Sequence, residues 1–393
     1  MVTHRRRTER RRGARVVLAA LAGLALAPAC GSGKDAGLVS ASGWEMIVHP
    51  VSDVDMAVWL DGPDTIYALA QDNPYEDDGV SYSVVSSHDD GKTWTTVPLT
   101  DKSSPLLSIA AVGPTDVYAV GFTYDYTDLV DSPPVVAKST DRGASFTLLH
   151  PSFAGAFSAV AADGAGNPIG VGYGRDGGFF LRSTDGGATW SETPIPGTTA
   201  LYSLWTTASG TLYACGQASS ASAPPDAGTA AAGTDAGTDA AAAGPAGVVV
   251  RSDDGGNTWI SITTAPAPLF AVSGTSDGQR IIAVGAGYTE IESTDAGATW
   301  YVHCGSDDDT SPNYSGFGSV WVPDATTAPY IAAGNAPYVV RGVTSTTGGA
   351  GDLSVESDES LPAAGDGLQS GAVAVAGSGM RAWAVGAGIF RRK

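Results

Sequence analysis

Cysteine and histidine are scarce in this chain, which holds three of the first and five of the second in 393 residues. That leaves too little for a disulfide framework, and no zinc-ligand spacing or phosphate-binding loop occurs. Positive charge is also short, with 21 Lys and Arg against 41 Asp and Glu. Such a surface repels phosphate backbones and anionic headgroups, so nucleic acid is excluded as a partner, and so is charge-driven membrane binding. No apolar run is long enough to span a bilayer. The longest near the N-terminus, Val16 to Ala27, has 12 residues, where a helix needs roughly 20.

That short run follows Arg5, Arg6, Arg7, Arg10, Arg11, Arg12 and Arg15, the pattern of a signal peptide over residues 1–29. It ends at Ala27-Pro28-Ala29-Cys30, with flexible Gly31-Ser32-Gly33 behind it. The arrangement resembles the bacterial lipoprotein signal, which implies lipidation of Cys30, a tether over 30–42 and membrane contact through the lipid only. Plain secretion with cleavage near Ala29 is the alternative, and the arginine-rich leader also admits twin-arginine export. The expected location is the cell envelope: outer membrane, periplasm or cell surface. Without residues 1–29 the chain keeps 14 basic and 40 acidic side chains, a net charge near −26. Cys215 and Cys304 then remain, either as one disulfide or as two separate packing residues.

Repetition carries the fold reading. One pentapeptide recurs as Ile66–Ala70, Val117–Gly121, Pro168–Gly172, Leu212–Gly216, Ile281–Gly285, Tyr330–Gly334 and Ala382–Gly386, at intervals of 51, 51, 44, 69, 49 and 52 residues. The long interval contains residues 218–247, rich in Ala, Gly, Asp and Pro, which cannot bury a core and are expected to be a disordered insertion. Before each pentapeptide lies a short run of small apolar residues, suited to a crowded inner strand. After it comes a third strand and then, in five units, a box: Ser87–Trp94, Ser139–Phe146, Ser183–Trp190, Ser252–Trp259 and Ser293–Trp300, all fitting S-x-D-x-G-x-[ST]-[WF]. The pattern predicts an all-β, seven-bladed propeller of four-stranded antiparallel blades over residues 43–393. Its last blade is closed by the N-terminal strand that begins at Gly43-Trp44.

The boxes resemble the Asp-box, or bacterial neuraminidase repeat, of sialidases, sortilin-type receptors and photosystem II assembly-factor-like propellers. The residues themselves assign Asp89, Asp141, Asp185, Asp254 and Asp295 a folding role: each carboxylate can cap nearby backbone N–H groups in the hairpin between strands three and four. The resemblance likewise implies that the boxes lie away from the binding site.

Strand alternation puts the boxes on one side of the ring and the longer loops on the other. Two of those loops belong to adjacent blades and carry Tyr75, Glu76, Asp77, Asp78 and Tyr124, Asp125, Tyr126, Asp128. Loops on a rigid scaffold are where recognition resides, and these are the candidate binding face, with a solvated acidic surface as the alternative. No catalytic residue, cofactor or metal ligand is assigned. Calcium has no support beyond Asp307-Asp308-Asp309, which reads as a charge run. Sialidase chemistry needs an arginine cluster drawn from several blades. Here Arg182, Arg251 and Arg341 end third strands, Arg142 is inside a box, Arg280 and Arg381 lie in one-to-two turns, and only Arg175 falls on the loop side. His49, His88, His150 and His303 are expected at the surface. The expected function is a monomeric, non-enzymatic scaffold for an unidentified protein or glycan of the cell envelope. The alternative is a glycan-binding or divergent sialidase-like hydrolase propeller.

Overall fold

The computed structural model describes residues 44–48, 54–72, 81–99, 104–123, 132–219, 246–304, 316–332, 338–341, 357–360, 372–378, 381–386 and 389–392. Their regular structure is all β, in seven four-stranded antiparallel sheets. Six are built from consecutive strands: blade 1 spans 54–99, blade 2 106–149, blade 3 156–194, blade 4 198–265, blade 5 269–304 and blade 6 319–360. Blade 7 takes three strands from 372–392 and its outer strand, Trp44–Val48, from the N-terminal side. There Trp44 pairs with Arg392 and Glu45 with Arg391, and Arg391 holds the Glu45 carboxylate at 2.6 Å. Each inner strand packs on that of the next blade, and the inner strand of blade 7 packs on that of blade 1, closing the ring.

The pentapeptides are the second strands, and their apolar runs follow from burial on both faces. In Ile66–Ala70, Tyr67 and Leu69 face blade 2 while Ile66, Ala68 and Ala70 face blade 7. Among the described residues there are accordingly seven hydrophobic cores, each shared by two neighbouring blades. The glycine ending most pentapeptides has a steric cause. A Cβ on Gly216 would overlap the Ala200 carbonyl oxygen, and one on Gly121 or Gly285 would meet Pro105 or Pro268 in the same way. At that close approach the inner strand bulges: Leu201 pairs with Gly216 and Ser203 with Cys215, so Tyr202 is the extra residue. The same irregularity leaves Leu107, Ser158 and Phe270 as the extra residues of blades 2, 3 and 5.

Cys215 is a free, fully buried thiol whose Sγ lies 3.7 Å from the Leu269 carbonyl oxygen, and burial pushes its pKa up. It fills space between blades 4 and 5. The signal peptide, the tether, Cys30 and residues 220–245 of the insertion lie outside the described residues.

Gly256, with φ +92°, has the Phe180 ring of blade 3 where a Cβ would stand, whereas Gly62, with φ +77°, faces open space. Gly256→Ala combines left-handed strain with overlap and should lower the unfolding free energy by about 2–4 kcal/mol. Gly62→Ala should cost only about 1 kcal/mol, both read from urea unfolding at unchanged m-value.

Candidate binding face

The two sides of the ring are built for different work, and the box side shows the tighter geometry. In blade 3, Ser183 Oγ donates to Asp185 Oδ1 at 2.8 Å and accepts from the Gly187 N–H at 2.7 Å. The Thr189 N–H and hydroxyl then donate to the two Asp185 oxygens at 2.8 and 2.6 Å, and the Trp190 indole N–H donates to the Gly187 carbonyl at 3.2 Å. The same net recurs around Asp89, Asp141, Asp254 and Asp295. Donation from the Thr or Ser four residues on lowers these carboxyls, to about 2 at Asp89, Asp141, Asp185 and Asp254. Both oxygens of each Asp are thus engaged by their own turn, and no group of three metal-ligating side chains occurs among the described residues.

The fourth box residue is left-handed in all five turns: Asp90, Arg142, Gly186, Gly255 and Ala296 have φ between 59° and 71°. This aims its carbonyl at the preceding blade, where a second-strand tyrosine and a third-strand cation meet it. Tyr118 Oη and Lys138 Nζ both donate to Gly186 O, at 2.9 and 2.6 Å. Tyr213 Oη and Arg251 Nη1 donate to Ala296 O at 3.4 and 3.2 Å, and Tyr67 Oη donates to Arg142 O at 3.3 Å. Arg182 reaches Gly255 O and Arg391 reaches Asp90 O. Each of these cations also lies over an aromatic ring of its own blade: Lys138 on Tyr118, Arg182 on Phe180, Arg251 on Tyr213 and Arg391 on Trp383. Arg381 pairs with Asp90 at 2.9 Å, and Arg280 with Glu292 at 2.7 Å. These cations hold blades together on the box side, where a clamp for a substrate carboxylate on the opposite face is out of their reach.

Of the four histidines expected at the surface, His49 lies outside the described residues. His88 and His150 are exposed, but His303 is only 5 % exposed, with its Nε2 3.9 Å from the buried Glu292 carboxylate. Gly274–Gly278 fits G-x-S-x-G letter by letter. It is the turn between the inner two strands of blade 5, where Thr275 donates to Asp277 at 2.6 Å and Asp277 caps Gln279, so the stretch is a turn device.

On the opposite side, Asp72 pairs with Ser81 and Phe122 with Pro134, so residues 73–80 and 124–131 leave from neighbouring blades on one face. Tyr75, Glu76, Asp77, Asp78, Tyr124, Asp125, Tyr126 and Asp128 themselves lie outside the described residues, as do Asp307–Asp309. Beside that face, sequence reasoning missed an aromatic group. The bulged Tyr202 has its ring 6.0 Å from Tyr173 of blade 3 and 5.9 Å from Phe270 of blade 5, and its hydroxyl donates to Gln217 Oε1 at 3.4 Å. All four side chains are partly exposed. Burial raises both phenols, Tyr173 to about 12, so they stay neutral hydrogen-bonding rings at any ordinary pH. The signal was present: Tyr202 and Phe270 are the residues after those paired with the pentapeptide glycines, where blade 3 has Ser158.

No family model matches this chain, and no curated protein does. Solved structures do. The chain is similar to YCF48 bound to D1 peptide, with 16 % identity and a TM-score of 0.55 over 90 % of this chain and 98 % of that one. It is also similar to YCF48 from Cyanidioschyzon merolae, with 13 % identity and a TM-score of 0.52 over 90 % and 98 %. The GH74 xyloglucanase from Xanthomonas campestris matches with 17 % identity and a TM-score of 0.54, over 88 % of this chain and 52 % of that one. At such identities the likeness is one of fold.

The lowered carboxyls set a pH dependence. A folded value below the unfolded one stabilises above about pH 4, and that contribution is lost as pH falls towards 2. Asp185→Ala should lower the melting temperature at pH 7 and flatten its fall between pH 4 and pH 2, read by circular dichroism melts.

Proposed function

We propose that this chain is a non-enzymatic binding or assembly scaffold of the bacterial cell envelope, an Asp-box propeller tethered by lipid at Cys30, whose loop face engages a protein partner. The observation that carries this reading is the division of labour between the two sides. On one side the cations are taken up in joining blades and the box carboxylates in holding their own turns, while the other side offers the partly exposed Tyr173, Tyr202 and Phe270 with Gln217. Neutral aromatic rings beside one amide suit a peptide segment, giving apolar area and a hydrogen-bond partner at low entropic cost. The acidic segments with Tyr75 and Tyr124 follow strands that end on that side, and their charge favours a partner with basic side chains. A similar structure, that of YCF48, has D1 peptide bound to it.

A second reading rests on the same rings. Aromatic faces also stack on sugars, and a GH74 xyloglucanase is among the similar folds, so a glycan-binding propeller is the alternative.

A panel of peptides and oligosaccharides screened by thermal shift separates the two. A ligand at 100 times its Kd stabilises the native state by about 2.7 kcal/mol. The scaffold reading expects a peptide hit that disappears in Tyr202→Ala and weakens in Tyr124→Ala. An oligosaccharide hit lost in the same variants would replace it with the glycan reading, and hits unaffected by either variant would remove the loop face from both.

A further inference from the structure

The junction between blades 5 and 6 is unlike the others. In the remaining boxed blades the residue three before the box serine is apolar, namely Val84, Val136, Phe180 and Val249, and the residue one before is Ser86, Lys138, Arg182 or Arg251. Blade 5 has Glu290 and Glu292 at these two positions, each 4 % exposed and on one face of the strand. Val284 and Ile282 are their cross-strand neighbours, and the surrounding layer, with Phe317, Val320 and Ile331, is apolar. Arg280 is 3 % exposed. It holds Glu292 Oε1 at 2.7 Å and crosses to blade 6, donating to the Asp324 and Thr327 carbonyls at 3.3 and 2.6 Å. Glu290 Oε2 is buried with no hydrogen-bond partner.

We propose that this junction is a proton-dependent joint, closed while the Glu290 carboxyl is protonated and loosened when it ionises. Charges in a site this buried must balance one another. Facing Glu290 among the described residues are Glu292 on its own strand, Arg280 from the one-to-two turn and His303, its register partner on the outer strand, with Nε2 3.9 Å from Glu292 Oε2. Blade 6 contributes the two main-chain carbonyls, since the Asp324 carboxylate is taken up by Thr326 and Thr327. With Glu290 neutral, one carboxylate meets one guanidinium. With Glu290 ionised, two buried carboxylates compete for that guanidinium, and either water enters or Arg280 is drawn from the blade 6 carbonyls. The first opens the buried layer between the blades, and the second removes the polar side chain that crosses it. Ile282 stands where Tyr118 and Tyr213 stand in blades 2 and 4, so no hydroxyl at that position bonds the next blade here.

Burial and the neighbouring Glu292 raise the Glu290 carboxyl to about 8, against the lowering effect of Arg280. A folded value above the unfolded one gives stability that is fully present below about pH 4.5 and lost as pH rises through 8. The joint therefore works near neutrality, and it stands independently of the loop-face reading.

Hydrogen exchange of the full chain at pH 7 and pH 9, corrected for intrinsic rates, tests it. Segments 281–304 and 316–332 should lose protection by about tenfold, following the rise in ionised Glu290, while 106–149 keeps theirs. Glu290→Gln should abolish the change. A loss spread evenly around the ring, or one that persists in Glu290→Gln, overturns the proposal. Should that variant not fold, proton release decides: unfolding the wild-type chain at pH 6.5 should release one proton, and release of none overturns the joint.

Discussion

One main-chain carbonyl per boxed blade, turned out of its hairpin by a left-handed residue, is the contact on which the ring depends. A blade has no core of its own, since every apolar cluster belongs to two blades. Those clusters are alike in composition and cannot by themselves fix how far one blade rotates against the next. The directed bond from Tyr118 or Tyr213 to the carbonyl of the following box supplies that orientation. Keeping Asp90, Arg142 and Ala296 left-handed costs about 1 kcal/mol each. The Ser–Asp–Thr hydrogen bonds hold the turn in that state, which is why the box needs those three side chains at that spacing.

This arrangement explains how the few cations of an acidic chain are used. Lys138, Arg182, Arg251 and Arg391 each stack on a ring of their own blade and bond a carbonyl of the next. Blade 7 joins blade 1 by the same means: Trp383 packs beside the Gly91 turn while Arg391 bonds Asp90. With the box side so committed, the opposite side is free to vary in loop length and composition without disturbing the ring. The blade 5 to blade 6 junction departs from the rule, with glutamates in place of the apolar and cationic positions.

Much of the fold was legible because repetition averages out local ambiguity. The seven pentapeptides coincide with second strands, and the small-residue runs before them with inner strands. The extra strand Trp44–Val48 fell where a blade lacked its fourth member. The site was less legible, for physical reasons. Tyr202 and Phe270 look like ordinary inner-strand residues until a bulge beside Gly216 and Gly285 turns them out. His303 reads as an outer-edge residue in sequence, yet it is buried beside Glu292. Glu290 and Glu292 alternate with Ile291 just as a solvated strand would, and only the position of blade 6 makes them buried.

The orientation role of the box carbonyl can be measured by removing three donors at once. In a variant carrying Tyr67→Phe, Tyr118→Phe and Tyr213→Phe, the rings keep their packing and the hydroxyl bonds to Arg142, Gly186 and Ala296 are lost. Urea unfolding should show a free energy lower by about 2–4 kcal/mol, roughly 1 kcal/mol per bond, with the native circular dichroism spectrum unchanged. An unfolding free energy equal to that of the wild-type chain would contradict the account, leaving apolar packing alone to set one blade against the next.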